Sequence, residues 1–346
     1  MLKITRQISQ TTIANQLTKR PHFALMGYLL LALLSPVCVL AEDEVKVDSG
    51  VLAYQKGADL KGTLSSVGSD TLNNLMTLWA ERFCKLYQGA TVQVEGKGSS
   101  TAPAALISGS AQLGPMSRAM KQSEIDGFEK KYGYKPTQVR VAVDALAVFV
   151  NKDNPLTSLT LAQVDAVFSK FHRRGYAGDI ANWGQLGLSG EWAQRSVSLY
   201  GRNSASGTYG FFKEEVLANG DFKDTVKEQP GSASVVQGIA VDRYGIGYSG
   251  IGYRTSGVKA LNLAADADGH FIEPSQKNAY SGDYPIARFL YVYINKKPGA
   301  QLDKLTAEFI RFVLSKEGQE TVVKDGYFPV PAKVVSEDLK VILGSR

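Results

Sequence analysis

The chain has 346 residues, 44% of them hydrophobic and 21% charged, so it carries enough apolar material for a substantial core and is far from a disordered composition. Its formal charge is +6, but residues 1–41 hold Lys3, Arg6, Lys19 and Arg20 with no Asp or Glu, and beyond them 35 basic residues face 33 acidic ones. That balance excludes a nucleic-acid groove, which needs Lys and Arg clustered along one face.

The opening segment reads as a secretory leader: a basic stretch ending at Lys19-Arg20, an apolar run over 24–34, then Val39-Leu40-Ala41 before Glu42-Asp43-Glu44. The expected mature chain is soluble, exported and begins near Glu42. Ser35-Pro36 interrupts the run, which argues against a retained membrane anchor. Cys38 lacks the small neighbour of a lipoprotein site. After Ala41 only Cys84 remains, so no intrachain disulfide can form. His172 and His270 are far apart in sequence, and no HExxH, CxxC, GxSxG or Walker A pattern occurs. Neither a metal nor a cofactor is expected.

Strand-like runs fall at 92–94, 141–150, 197–199 and 289–294. Between them the clearest helical face is Leu72, Leu75, Met76, Trp79, Phe83 and Leu86, spaced three and four residues apart. Further amphipathic stretches cover 160–168, 209–218 and 305–314. Alternation of this kind predicts an α/β architecture with largely parallel sheets, in two lobes rather than one large sheet. The apolar runs 141–150 and 284–295 are long for single strands, and each is expected to cross from lobe to lobe as a hinge.

Three short segments share a pattern between a strand-like and a helix-like run: Gly68-Ser69-Asp70-Thr71, Gly98-Ser99-Ser100-Thr101 and Ser206-Gly207-Thr208. Glycine permits a tight turn, a hydroxyl caps the helix, and the first helical turn leaves backbone N–H groups without intrahelical partners. Any one alone is an ordinary N-cap. Together they point to a shared anion site, because the free donors and the positive end of each helix dipole face the same way. Arg202, four residues before Ser206, adds a guanidinium able to fork two oxygens of a tetrahedral anion. No metal carboxylates or P-loop lysine accompany it, so the chemistry reads as binding without turnover.

Gly68-Ser-Asp-Thr-Leu72, Gly98-Ser-Ser100, Leu113-Gly-Pro-Met-Ser-Arg118, Val143-Asp-Ala-Leu-Ala147, Gly201-Arg-Asn-Ser-Ala-Ser-Gly-Thr208, Gly245-Ile-Gly-Tyr248 and Tyr284-Pro-Ile286 jointly resemble the PstS-type periplasmic phosphate-binding proteins, over essentially the whole region after the leader. The resemblance implies a type II, two-lobed periplasmic-binding fold, with residues 42–145 and 287–346 as one lobe and 146–286 as the other, behind a leader of 1–41. It implies a monomer that binds inorganic phosphate in the periplasm and delivers it to ABC permease subunits in the inner membrane. Carried over by motif, the ligand groups fall on Thr71, Leu72 through its backbone, Ser99, Arg202, Ser206, Gly207 and Thr208, with Ser117 and Asp144 beside them and Asp70, Ser100 and Arg118 as further candidates. Another tetrahedral oxyanion such as sulfate, or an adhesive matrix protein reusing the scaffold, are the alternatives.

Where some members of that family place an acidic residue, this chain has Ser117, followed by Arg118. A site of donors alone would hold sulfate and phosphate alike, whereas a carboxylate acceptor favours an anion that still bears a proton. Asp144 and Asp70 are the candidates for that acceptor, with Asp144 preferred; an ion pair between Asp144 and Arg118 is the competing expectation. Gly245-Ile-Gly-Tyr-Ser-Gly250 matches a dinucleotide template but is read as strand and turn, because no helix follows. His172-Arg173-Arg174 is read as a solvated loop and Trp79 and Phe83 as core.

Overall fold

The computed structural model describes residues 44–344, so the expected leader lies outside the described residues. Chain order begins with β1 (Lys61–Val67), α1 (Asn73–Leu86), β2 (Gly89–Glu95), α2 (Ala102–Ser108), β3 (Leu113–Met116), α3 (Gln122–Tyr132) and β4 (Thr137–Ala145). It continues through β5 (Ala147–Asn151), β6 (Ser158–Thr160), α4 (Leu161–Phe168), β7 (Ser198–Arg202), α5 (Gly207–Glu215), β8 (Lys227–Gln229), α6 (Ser232–Val241), β9 (Gly245–Ser249), β10 (Val258–Ala260), β11 (Asn262–Ala264) and α7 (Gln276–Ser281). It ends with β12 (Ala287–Ile294), α8 (Lys304–Val313), α9 (Lys316–Lys324) and α10 (Ala332–Leu343).

Two five-stranded sheets form, in the orders β2-β1-β3-β12-β4 and β10-β5-β9-β7-β8, with β6 and β11 making a small third sheet. Both large sheets are mixed rather than largely parallel. β1 runs parallel to β2 and β3, and β7 parallel to β8 and β9, as helical crossovers through α1, α2, α5 and α6 allow. β12 enters antiparallel to β3 and β4, and β5 lies antiparallel to β9 and β10. The antiparallel strands are those at the junction, where the chain leaves one sheet for the other and comes back.

The apolar run 141–150 divides at Leu146: β4 belongs to the first sheet and β5 to the second. The return passes through Ile286 into β12. The two crossings lie side by side, with Leu146 N–H donating to the Ile286 carbonyl at 3.2 Å and Tyr284 Oη to the Leu146 carbonyl at 2.9 Å.

The helical face starting at Leu72 behaves as its spacing requires. Leu75, Met76, Trp79 and Phe83 are fully buried in α1, and Trp79 Nε1 donates to the Gly318 carbonyl in α9 at 2.8 Å. Each such side chain contributes about 1.5–3 kcal/mol of burial, which holds α1 and the turn before it in place. Cys84 is a half-buried free thiol. Residues 245–249 form β9, followed by a short turn at 251–253, as the absence of a helix signal predicts. Among the described residues no helix is long and apolar enough to cross a membrane, and no group of three or more His, Cys, Asp or Glu could hold a metal ion.

Candidate functional site

The three hydroxyl-bearing turns all stand at the carboxyl ends of parallel strands, where open α/β sheets present their ligand crevices. β1 ends at Val67 and feeds a single 3₁₀ turn at 70–72 before α1; β2 feeds a second at 99–101 before α2; β7 feeds Ser206, which caps α5 by accepting from the N–H groups of Thr208 and Tyr209. The first two turns are tied to each other and to β3. Gly98 N–H donates to the Gly68 carbonyl at 2.8 Å, and Ser69 N–H to the Pro115 carbonyl at 2.7 Å.

The turns converge. Thr71 Oγ1 lies 2.8 Å from Thr208 Oγ1, and Thr208 Oγ1 lies 3.4 Å from Ser117 Oγ. Ser117 Oγ lies 3.2 Å from Ser99 Oγ, which also accepts the Ser117 N–H at 3.0 Å. All four residues are buried, as is Leu72 directly after Thr71. Thr208 comes from the second sheet and the other three from the first, so the cluster spans the cleft. Gly207 makes that approach feasible: a Cβ there would lie 2.7 Å from Ser117 Oγ and closer still to Ser99 Oγ. Opposite it, Gly98 adopts φ +111°, and a Cβ would meet the Ala205 carbonyl at 2.5 Å, the carbonyl that accepts the Ser100 N–H across the cleft.

Arg202, the last residue of β7, is 1% exposed. Its Nη1 donates to Ser232 Oγ at 2.6 Å and its Nη2 to the Pro230 carbonyl at 3.3 Å, while Nη2 stands 3.1 Å from Asp70 Oδ2. Nε is a buried donor with no hydrogen-bond partner among the described residues. Burial pulls the guanidinium below its ordinary pKa, and Asp70 is the main opposing influence. Asp70 sits in the first turn of the other sheet, and its Oδ2 also accepts the Ser232 N–H at 2.8 Å, capping α6 from across the cleft.

Sequence reasoning missed a second guanidinium. Arg288 in β12 is paired in register with Asp144 of β4. Its Nε and Nη2 donate to Asp144 Oδ2 at 3.0 and 2.8 Å, its Nη1 to the Ser117 carbonyl at 2.8 Å, and its Nη2 to Thr208 Oγ1 at 2.9 Å. Asp144 Oδ1 accepts the Ile251 N–H at 2.9 Å, so both oxygens of that carboxylate are engaged. The expected ion pair between Asp144 and Arg118 does not form. Arg118 instead forks Glu124 at the start of α3, with contacts of 2.7 and 2.8 Å, because Glu124 lies only six residues along the chain while the neighbouring strand delivers Arg288 to Asp144. Burial would raise the Glu124 carboxyl, but the Arg118 fork and the Lys121 N–H hold it below its ordinary range. Ser100 Oγ is only a distant 3.5 Å contact of Arg118.

The His172-Arg173-Arg174 stretch is not a freely solvated loop. Arg174 Nε donates to the Val216 carbonyl at 2.7 Å and its Nη2 to the Glu215 carbonyl, and Arg173 Nη1 reaches the Ala218 carbonyl at 3.2 Å. Both cations thus cap the C-terminal end of α5, the helix whose N-terminal end carries Ser206, Gly207 and Thr208.

Two sheets joined by paired crossings, with helix starts and two guanidiniums meeting in the cleft between them, define a two-lobed binding protein of the periplasmic type. The family profile described as PBP superfamily domain matches residues 53–317. PstS of Pseudomonas aeruginosa, a phosphate-binding protein, is 57% identical over 294 residues, which is 85% of this chain and 91% of that one. PstS of Staphylococcus epidermidis is 28% identical over 82% of this chain and 83% of its own length. Among solved structures, a Clostridium perfringens substrate-binding protein assigned to a phosphate ABC transporter and holding bound phosphate superposes with a TM-score of 0.64 at 25% identity, covering 78% of this chain and all of that one. The chain belongs to the PBP superfamily and, within it, to the PstS phosphate-binding proteins.

Proposed function

We propose that this chain captures inorganic phosphate and presents it to the permease of an ABC importer. Thr71, Ser99, Ser117, Arg202, Ser206, Gly207 and Thr208 surround the anion, and Leu72 contributes its backbone N–H. The observation that carries this reading is the buried cluster of four hydroxyls from both sheets beside Arg202, whose Nε is a buried donor without a partner among the described residues. Charged donors and hydroxyls in a dry cleft suit an oxyanion, and charge-assisted bonds of this kind are about twice as strong as neutral ones. None of the four hydroxyls bonds a histidine or a carboxylate among the described residues, the partner a nucleophile needs, so the cluster holds its ligand without attacking it.

The lobes in this reading are 42–145 with 287–346, and 146–286. The leader is removed near Ala41, and the mature protein works as a monomer in the periplasm against inner-membrane permease subunits. The bound anion contacts both lobes, so it stabilises the closed form by mass action. Asp70 and Asp144 each hold a guanidinium, so the acceptor for a ligand proton falls to the hydroxyl oxygens, which accept as well as donate.

Isothermal titration of the mature protein with phosphate tests the reading, with saturable 1:1 binding expected. Tighter binding of sulfate would move the assignment to another tetrahedral oxyanion. No binding of either would overturn the receptor function and leave a structural reuse of the scaffold.

A further inference from the structure

We propose that Arg288, oriented by Asp144, is a second cationic ligand of the anion, donating directly to it alongside Arg202. The inference rests on the phosphate reading and adds a residue that the helix-start pattern does not contain.

Position is the first argument. Arg288 Nη2 lies 2.9 Å from Thr208 Oγ1, the hydroxyl that is itself in contact with both Thr71 and Ser117. The guanidinium is therefore one hydroxyl away from Thr71 and Ser117, and its side chain is 3% exposed. Its Cζ stands 5.1 Å from the centre of the Phe211 ring in α5, so the stem is held against the same helix whose N-terminal end faces the cleft.

Donor arithmetic is the second. A guanidinium has five N–H bonds. Nε and one Nη2 hydrogen serve Asp144, one Nη1 hydrogen serves the Ser117 carbonyl, and the second Nη2 hydrogen serves Thr208. Thr208 already accepts that hydrogen, so its own hydroxyl hydrogen, which is directed at Ser117 Oγ at 3.4 Å, can turn to an anion oxygen while Arg288 polarises it. The remaining Nη1 hydrogen is the direct donor the proposal assigns to the anion, on the nitrogen that also bonds the Ser117 carbonyl.

Asp144 does two things for this arrangement. It fixes the plane of the guanidinium through two bonds to one oxygen, and its charge cancels that of Arg288, so the pair is affordable in a buried site before the anion arrives. The competing account makes the pair a staple at the lobe junction, since Asp144 Oδ1 also takes the Ile251 N–H.

The double variant Arg288→Gln with Asp144→Asn separates the two. It leaves the net charge of the site unchanged and keeps amides that can bond each other and Ile251, while removing the cation and its donations to Ser117, Thr208 and the anion. Phosphate titration should show affinity reduced at least about 30-fold relative to wild type, with the melting temperature retained. Affinity within threefold of wild type would overturn the inference, because a staple alone would then explain the pair. Should the double variant fail to fold, Arg288→Lys decides. It keeps a cation but cannot fork, so about tenfold weaker binding is expected and unchanged binding overturns the proposal. Absence of phosphate binding by the wild-type protein would instead sink the functional reading itself, which keeps the two failures distinct.

Discussion

The two buried guanidiniums meet at one cleft but are anchored in different ways. Arg288 and Asp144 lie opposite each other on neighbouring strands of a single sheet, so their bond exists at any angle between the lobes. Arg202 belongs to the second sheet and its carboxylate, Asp70, to a turn of the first, so that pair exists only while the two halves touch. In the proposed reading one cation is prepared before the ligand arrives. The other is completed by closure, and its Nε, without a hydrogen-bond partner among the described residues, leaves it more to gain from an anion.

The largest expected effect breaks the comparison at its closing half. Arg202→Ala should weaken phosphate binding by about 4 kcal/mol in a calorimetric titration, since it truncates a buried charged donor and leaves Asp70 without its cation. Near-normal affinity would mean that closure does not place Arg202 against the anion.

A third carboxylate sharpens the comparison from outside it. Asp325 is buried with only the Asn74 amide donating to it among the described residues, and burial lifts its pKa to about 6, partly offset by that amide. A raised carboxyl pKa makes ionisation a cost to the folded state. The cost is absent below the ordinary value of 3.8, grows as pH rises and is complete above about 6. Asp325→Asn should therefore stabilise the protein by up to about 3 kcal/mol at pH 8 in urea unfolding, and by nothing measurable below pH 4. Equal gains at both pH values would show that burial without a cation is not what distinguishes Asp325 from Asp70 and Asp144.

The smallest effect concerns closure alone. Asp70→Asn should destabilise the closed, ligand-free form by about 1 kcal/mol, seen as a larger radius of gyration in solution scattering, because the pair it breaks crosses the cleft and is partly exposed. Asp144→Asn should leave that radius unchanged. The same expansion in both would erase the distinction between a fixed and a conditional pair.

Much of the site was legible because its elements are local. A glycine, a hydroxyl and a helical face succeed one another within a few residues around Thr71, Ser99 and Thr208, and periodicity alone placed Trp79 and Phe83 in the core. The division of the run 141–150 between sheets was likewise suggested by its length. Arg288 was not legible. It sits in a strand whose neighbours are aromatic and apolar, and what makes it part of the site is its register against Asp144, a relation between residues 144 positions apart. The competing expectation of an ion pair between Arg118 and Asp144 failed for the same reason, since sequence cannot show which buried acid a strand end will face. The antiparallel strands also escaped, because alternation of strand and helix signals parallel pairing and is silent about a strand that returns from another lobe.

The adjacency of Leu146 and Ile286 has a consequence for how the protein can be observed. Two crossings laced together by a backbone bond and the Tyr284 hydroxyl form one spine, so any relative movement of the two sheets has to bend the chain at that one place. A pair of fluorophores, one attached to each half away from the spine, would report such a movement directly.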